Sequence, residues 1–182
     1  MTNKMLKKLL ATLLLCFLCS GCGHRSLPAW PPGTVLVSMN NDESLNTSPG
    51  VWNHLSIYVG HGRIVESQRD QGGVVVTPLR TYLSRDYTFR PLYPRDPATG
   101  ERAAEAAQKL VGLPYRELSS LLRVDRREAK GLNCVSVVRV AYVTATDRDL
   151  PHLKIPDAIF DYTELFWWPQ TYYVRGRPQT AA

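Results

Sequence analysis

The 182-residue sequence predicts an α+β fold in one domain, and two observations carry this prediction. Residues 52–59 and 63–67 alternate in polarity around a Gly-His-Gly turn, which is typical of an antiparallel β-hairpin. An apolar run follows Asn133, whose side chain can cap a helix that starts at Cys134 and runs to about Val143. Strands joined by short turns, together with helices later in the chain, indicate a sheet packed against helices.

The N-terminus predicts a secretory signal over residues 1–21, with lysines before an apolar run too short to span a bilayer. Small residues directly before Cys22 resemble a bacterial lipobox, in which cleavage exposes a cysteine that then carries lipid. Gly23, by resemblance to Gram-negative lipoproteins, indicates an outer-membrane anchor facing the periplasm. The alternative is an ordinary signal peptide cut near Gly21 or Gly23. Residues 22–33 then form a proline-rich tether, and residues 34–182 form the domain.

Removal of the signal changes both the charge and the number of cysteines. Of 22 Lys and Arg residues, three lysines leave with residues 1–21, so 19 basic side chains face 16 acidic ones, a net charge of +3. This charge is too small to indicate a nucleic-acid partner. Cys16 and Cys19 leave with the signal and Cys22 is lipidated, so Cys134 has no cysteine to pair with. Cys134 is therefore either a reactive thiol or a small buried residue.

The remaining elements follow from local signals in the order of the chain. Turn-forming residues over 40–50 predict an exposed loop, and residues 113–122 a turn with a short helix. Thr99 is expected to cap a helix over residues 100–111 that ends at Gly112. The other predicted elements are strands over 34–39, 74–77 and 87–93 and a short helix over 78–84.

The loop length of the hairpin decides where Glu66 points. A three-residue loop, Gly60 to Gly62, pairs Ser56 with Glu66 and makes Glu66 the diagonal neighbour of His54 on one face. A two-residue loop would turn the carboxylate to the opposite face. Gly62 favours the longer loop because a glycine can take the left-handed conformation that such loops need. Leu55, Ile57 and Val59 are expected to face the core, with His54 on the polar side and His61 solvated at the turn.

Cys134, His54 and Glu66 together supply the three groups of a thiol-based catalytic site. A helix N-terminus favours an anion, so it lowers the pKa of a cysteine toward the reactive thiolate. An imidazole can share the proton of the thiol, and a carboxylate can orient the imidazole. The backbone N–H of Cys134 is a candidate donor to an oxyanion.

Four segments resemble one family: the hairpin 53–67, residues 73–83, "GLPY" at 112–115 and "NCVSVVRVAY" at 133–142. They are similar to the YiiX/YebB-like group, the circularly permuted branch of the NlpC-type cysteine peptidases with a papain-like fold. The resemblance implies Cys134 as nucleophile, His54 as base and Glu66 as the orienting group, in a barrel-like antiparallel sheet packed against helices.

Further residues are assigned around this site by the resemblance and by strand alternation. A C-terminal tyrosine lines the pocket in some members of the group, and Tyr162 is the candidate here. Trp52, which strand alternation places on the face of His54, is a second candidate for binding substrate. The sequence departs from the family at Thr34, where aspartate is common, and at Val135, where serine is usual beside the nucleophile.

The expected function is therefore that of a membrane-anchored thiol hydrolase that cleaves an amide bond in cell-wall peptides through an acyl-enzyme. A lipid or ester acyl hydrolase or transferase is an alternative, because the related lecithin retinol acyltransferases handle acyl chains. Residues 164–173 would then form an apolar wall, although packing or membrane proximity also explains them. A non-catalytic lipoprotein that binds peptides is the third possibility. No cofactor or metal is expected, since Cys134 and the histidines fit no short zinc spacing.

Overall fold

The structure, a computed structural model, describes residues 27–41, 50–117 and 131–180. The predicted signal peptide and Cys22 lie outside the described residues, as do most of the loop predicted over 40–50 and residues 118–122 of the turn and short helix predicted over 113–122. Within these three stretches the chain forms a sheet, three α-helices and a 3-10 helix Pro156–Asp161. The α-helices are α1 (Leu79–Leu83), α2 (Pro97–Gln108) and α3 (Cys134–Thr146). The strands are β1 (Val35–Asn40), β2 (His54–Tyr58), β3 (Arg63–Gln68), β4 (Gly73–Pro78), β5 (Tyr87–Pro94), β6 (Phe166–Trp167), β7 (Thr171–Val174) and β8 (Arg177–Thr180).

The eight strands form one antiparallel sheet in the order β4-β3-β2-β1-β5-β7-β8, with β6 paired to β5. This confirms the α+β prediction, but the barrel-like closure was wrong because the sheet is open. The outer edge of β4 is occupied by the turn after α2: the N–H of Val74 donates to Leu113 O, and the N–H of Gly112 donates to Val74 O. At the other end of the sheet, the residues of β8 are exposed.

The hairpin β2–β3 has the register that the three-residue loop predicts. Ile57 lies opposite Val65 and Tyr58 opposite Ile64, and the N–H of Val59 donates to Arg63 O. The turn uses left-handed residues throughout, with φ of 83° at Gly60, 52° at His61 and 66° at Gly62. Ser56 and Glu66 therefore share a face, as expected. That face is not solvated, however, because Ser56 and Glu66 are both fully buried.

Both faces of the sheet are covered, which is why the polar side of β2 is buried. On one face, α2 and α3 pack over Val37, Leu55 and Ile57, and this helix side holds the larger core. The buried face of α2 consists of Gly100, Ala103, Ala104, Ala106 and Ala107, small residues that let α2 and α3 approach closely. On the second side, α1 and Trp30 cover a smaller core that includes Tyr58, Tyr82 and Phe89.

Several element boundaries differ from the sequence-based expectation for local reasons. Helix α2 is capped by Asp96, not Thr99, because the Asp96 carboxylate accepts from the backbone N–H of Ala98 and Thr99 and Pro97 opens the helix. Helix α3 runs on to Thr146. Trp30, in the predicted tether, is only 6% exposed and packs edge-on against Tyr58, Phe89 and Tyr173, so the tether's last residues belong to the domain.

The C-terminal strands β6, β7 and β8 were not anticipated. Phe166 of β6 is fully buried against Tyr142 of α3, with ring centroids 4.7 Å apart. The segment 164–173 is thus part of the sheet and core. Within the three described stretches, no helix has the length and apolar content that crossing a membrane requires.

Candidate active site

His54 and Glu66 meet across the β2–β3 hairpin as the register predicts. His54 is the first residue of β2, and its Nε2 donates to Oε2 of Glu66 over 2.8 Å. The side chain of Glu66 is fully buried, whereas that of His54 is 17% exposed. Because the carboxylate occupies Nε2, the other ring nitrogen of His54 is the one left to share a proton with the thiol.

Cys134 is the first residue of α3, and its position is fixed by a capping box. The Asn133 side chain accepts from the N–H of Ser136 over 2.9 Å, while the Ser136 hydroxyl accepts from the N–H of Asn133 over 2.9 Å. The predicted Asn133 cap is therefore confirmed. The thiol is half-buried, and it is the one free cysteine among the described residues.

The loop before Cys134 is tied to the hairpin that carries His54 and Glu66. The Ser67 hydroxyl, next to Glu66 on β3, donates to Leu132 O over 2.6 Å. On its other side, Leu132 N–H donates to Pro114 O over 2.9 Å. Gly131 has a φ of 149°, and a side chain there would lie 2.8 Å from Pro114 O, so the close approach of the two segments requires a glycine.

The start of α3 contacts β2 at the end of the hairpin where β2 and β3 are no longer paired. β2 pairs with β1 from Ile57 to His54, but its ladder with β3 covers only Ile57 and Tyr58. The N–H of Leu55 is thus available, and it contacts the sulfur of Cys134. This backbone donor, together with the N–H of Val135, gives the sulfur two contacts that favour its anionic form.

The contact between Cys134 and His54 shifts the pKa of both groups. Burial disfavours the thiolate, but the hydrogen bond and charge of His54 outweigh burial and lower the pKa of Cys134. Burial also disfavours the imidazolium, yet the hydrogen bonds and charges of Cys134 and Glu66 raise the pKa of His54 to about 10. The two shifts together favour a thiolate–imidazolium pair at neutral pH.

Glu66 remains ionised although it is fully buried. Burial raises its pKa, but the contacts of His54 and Arg85 prevail and lower the pKa to about 2. Arg85 forms a two-point ion pair with Glu66, in which Nη1 lies 2.9 Å from Oε2 and Nη2 lies 2.9 Å from Oε1. The Thr77 hydroxyl donates to Oε1 over 2.5 Å. Each carboxylate oxygen therefore accepts two hydrogen bonds, and the charges of Cys134, His54, Glu66 and Arg85 sum to zero.

Arg85 is a site residue that sequence reasoning missed. It lies between α1 and β5, and its guanidinium stacks over the rings of Tyr82 and Tyr87, with centroid distances of 5.1 and 5.7 Å. It is 19 residues from Glu66 in the chain, and no local motif joins the two. The one signal available is physical: a carboxylate predicted inside a sheet needs a cation, and arginine is the usual partner for two-point contact.

Tyr162 and Trp52, the two residues predicted to bind substrate, both pack on the helix-side core. Tyr162 is 7% exposed in the helix-side core, and its hydroxyl accepts from the N–H of His152 over 3.0 Å. Trp52 packs on the helix-side core and lies 6.2 Å from the ring of Phe160. The backbone N–H of Trp52 donates to the Asp157 carboxylate, which fixes the segment that leads into His54.

The side chains of Thr34 and Val135, the two residues that depart from the pattern of the similar group, are both buried. The hydroxyl of Thr34 donates to Pro31 O over 2.7 Å, which closes the turn before β1. The Val135 side chain is buried in the helix-side core, where α3 needs an apolar residue. Tyr115 is a further neighbour that the sequence did not single out: burial and the charge of Cys134 both raise its pKa, although its contact with Arg69 opposes them.

Among residues 27–41, 50–117 and 131–180, no group of three or more His, Cys, Asp or Glu side chains is arranged to hold a metal ion. Comparison of the chain with protein-family models, with curated proteins and with solved structures found no match.

Proposed function

We propose that this protein is a thiol hydrolase that cleaves an amide bond, with Cys134 as nucleophile, His54 as base and acid, and Glu66 as the orienting group. The observation that carries the proposal is the contact chain from the half-buried Cys134 through His54 to the buried Glu66. A histidine or a buried glutamate alone is a common structural feature. A thiol at a helix start that contacts a carboxylate-bound imidazole is an arrangement suited to nucleophilic catalysis.

The chemistry follows from these contacts. The thiolate of Cys134 attacks the amide carbonyl carbon, and the carbonyl oxygen becomes an oxyanion, for which the N–H of Cys134 is the candidate donor. The C–N bond then breaks as His54 transfers its proton to the leaving amine, which leaves a thioester on Cys134. A water molecule gives a proton to His54 and attacks the thioester, and Cys134 leaves as the thiolate while His54 is again protonated.

Glu66 acts through His54 and does not contact the reacting atoms. Its Oε2 binds Nε2 of His54, so the opposite ring nitrogen faces the thiol and the ring cannot rotate away. The negative charge of Glu66 also stabilises the imidazolium that forms when the thiol ionises. Thr77 and Arg85 hold the carboxylate in place through further hydrogen bonds.

The proposed setting is the bacterial cell envelope, with the chain anchored by lipid on Cys22 in the outer membrane and facing the periplasm. The proposed substrate is a cell-wall peptide, as the resemblance to the permuted papain-like group implies. For the lipid or ester alternative, residues 164–173 were the suggested apolar wall. In the fold they form β6 and part of β7, where Phe166 packs in the core and Trp167 pairs with Tyr93. That placement gives the alternative no support.

The test compares wild type with Cys134→Ala, Cys134→Ser and His54→Ala on cell-wall peptide fragments, with product release and a covalent acyl-enzyme followed by mass spectrometry. Wild type is expected to release an amine and to carry the acyl group on Cys134, whereas the variants do neither. Phospholipid esters in the same assay test the alternative substrate. If the Cys134→Ala variant matches wild type on every substrate, the hydrolase proposal is wrong. Peptide binding without turnover in all four proteins would identify a binding protein.

A further inference from the structure

The chain enters the domain at the end of the sheet opposite the candidate active site. Leu27 lies beside Gly62 and Pro32 beside Gly60, so residues 27–32 run along the β2–β3 turn. The start of β1, the end of β5 and all of β6 lie at this same end, because Val35 pairs with Leu92 and β6 pairs with the last two residues of β5. We call it the anchor end. The opposite end, which holds His54 and the β3–β4 turn, is the site end.

The anchor end exposes apolar and aromatic side chains. Trp167 is 45% exposed and packs against Tyr93, with ring centroids 4.8 Å apart, and Leu27 is 38% exposed. Tyr93 packs in turn on the core that contains Trp30. The Trp167–Tyr93 pair is therefore held rigidly at the surface. Tryptophan and tyrosine are the residues that favour the boundary between lipid and water, since each has an apolar ring with a polar group.

The length of the preceding segment limits how far this end can be from a lipid attached to Cys22. Leu27 is only five positions after Cys22 in the chain, so five peptide units join them. Even fully extended, they span at most roughly 18 Å, and the proline-containing segment that follows is already packed on the domain. A lipid on Cys22 therefore keeps the anchor end close to the bilayer surface. From these observations we infer that the anchor end rests on a lipid bilayer through Trp167, Tyr93 and Leu27, with the site end facing water.

This inference rests on the proposed lipidation of Cys22, and it sharpens the choice of substrate. Gly60, in the turn after β2, is six positions after His54, which is roughly 20 Å of extended chain. With the anchor end on the bilayer, the thiol is held about that far from the lipid surface. A peptide that arrives through water reaches the thiol, whereas the acyl ester of a phospholipid in the same bilayer does not. The orientation therefore favours a peptide substrate over a membrane lipid.

The test places a reporter at each end of the sheet in the full lipidated chain. With Cys134→Ser as background, Arg63→Cys at the anchor end and Asp70→Cys at the site end each take a fluorescent thiol label. The proteins are reconstituted in vesicles of phosphatidylethanolamine and phosphatidylglycerol that contain spin-labelled lipid as quencher. The label at position 63 is expected to be quenched at least several-fold more than the label at position 70. Equal quenching at both positions, or stronger quenching at position 70, overturns the orientation.

A second variant separates the aromatic contact from the tether. Trp167→Ser is expected to lower the vesicle partitioning of the non-lipidated Cys22→Ala chain roughly tenfold, because most of the exposed ring no longer enters the lipid. Val111→Ser is the matched control, since Val111 is similarly exposed at 41% but lies near the site end. An equal effect of the two substitutions contradicts a lipid contact of Trp167. If Cys22→Ala leaves the fractionation of the protein in cells unchanged, lipidation fails, and hydrolysis by Cys134 is still tested separately.

Discussion

The two faces of the sheet are built from different chemistry. The helix side is a core of aliphatic and alanine side chains, in which α3 packs on β2. The second side has a smaller aromatic core, and it surrounds a fully buried polar set that includes Glu66, Ser38 and Ser56. The Tyr82 hydroxyl donates to the Ser38 hydroxyl over 3.1 Å, and the Arg85 guanidinium stacks on Tyr82 while it binds Glu66.

This difference assigns separate tasks to the two faces. The helix side positions Cys134, since its apolar packing fixes α3 against β2. The second side sets the charge of His54, because Glu66 and Arg85 lie there. Substitutions in the apolar core of the helix side are therefore expected to change stability but not the pH at which Cys134 reacts. Substitutions on the second side are expected to change both stability and the pH at which Cys134 reacts.

The largest effect is expected from Glu66→Gln, which keeps the shape of the side chain and removes its charge. Arg85 then has no anionic partner. Breaking such a buried ion pair costs about 3–5 kcal/mol of unfolding free energy. The charge of Glu66 no longer stabilises the imidazolium of His54, so alkylation of Cys134 at pH 6 slows as well. Urea unfolding and alkylation rates measure the two effects.

The pH dependence of stability is a second test of the buried charge of Glu66. The pKa of Glu66 falls from an ordinary value of 4.5 to about 2 in the fold, so its contribution is complete above pH 4.5 and is lost as the pH falls toward about 2. Wild type should lose more stability over this range than Glu66→Gln. Asp86→Asn, in the exposed pair with Arg175, is the control and should change the unfolding free energy little. If the unfolding free energy of Glu66→Gln and that of Asp86→Asn fall by the same amount as the pH is lowered, the buried charge does not have this role.

On the helix side, Ile57→Ala is expected to cost about 2–4 kcal/mol, because Ile57 is fully buried between the sheet and the helices and its loss leaves a cavity. The pH profile of Cys134 alkylation in the folded variant should match that of wild type. A shifted profile in Ile57→Ala would show that the two faces are not separable. Urea unfolding and the alkylation profile are again the measurements.

Arg85→Met should raise the pH at which Cys134 alkylation loses half its rate by about one pH unit. Without the guanidinium, burial favours a protonated Glu66, and the ion pair between Cys134 and His54 loses its supporting charge. Arg85→Lys keeps the positive charge but not the two-point contact, so its profile should lie between those of Arg85→Met and wild type. A profile for Arg85→Met that is unshifted, or shifted to lower pH, rejects this role for Arg85.

The smallest effect is expected from Asn133→Ala, which removes the capping box of α3. The loss should be about 1 kcal/mol, a typical value for a helix N-cap, with a modest slowing of alkylation as the helix start loosens. Asn133→Asp keeps an acceptor for the N–H of Ser136 and should recover most of the stability. If Asn133→Ala and Asn133→Asp are equally unstable, the cap does not account for the stability that Asn133 contributes.

The parts of the fold that local chemistry determines were predictable. Turn residues fixed the register of the β2–β3 hairpin, and Asn133 fixed the start of α3. The cap of α2 was misplaced by three residues because Asp96 and Thr99 are both good N-caps, and Pro97 decides between them. Sheet closure and the C-terminal strands depend on pairing between segments far apart in sequence, such as β5 with β7. No local pattern encodes that pairing.

In the candidate site, too, some contacts follow from local sequence and others depend on distant packing. His54 and Glu66 could be paired from the hairpin alone, since the register sets which side chains share a face. Arg85, Thr77 and the Ser67 contact with Leu132 come together only through the packing of α1 and the loop before α3. Tyr162 was selected among nine tyrosines because the resemblance implies a C-terminal one, and its burial depends on C-terminal packing that the sequence did not reveal.

The most direct test of the central claim is the rate of Cys134 alkylation by iodoacetamide between pH 4 and pH 9 in the wild-type protein. A thiolate held by His54 reacts at a substantial rate at pH 6, and this rate falls in His54→Ala. The lowered pKa of Cys134 and the raised pKa of His54 predict this result. A rate that rises only above about pH 8, as for an ordinary thiol with a pKa of about 8.5, would contradict it, as would a profile that His54→Ala leaves unchanged.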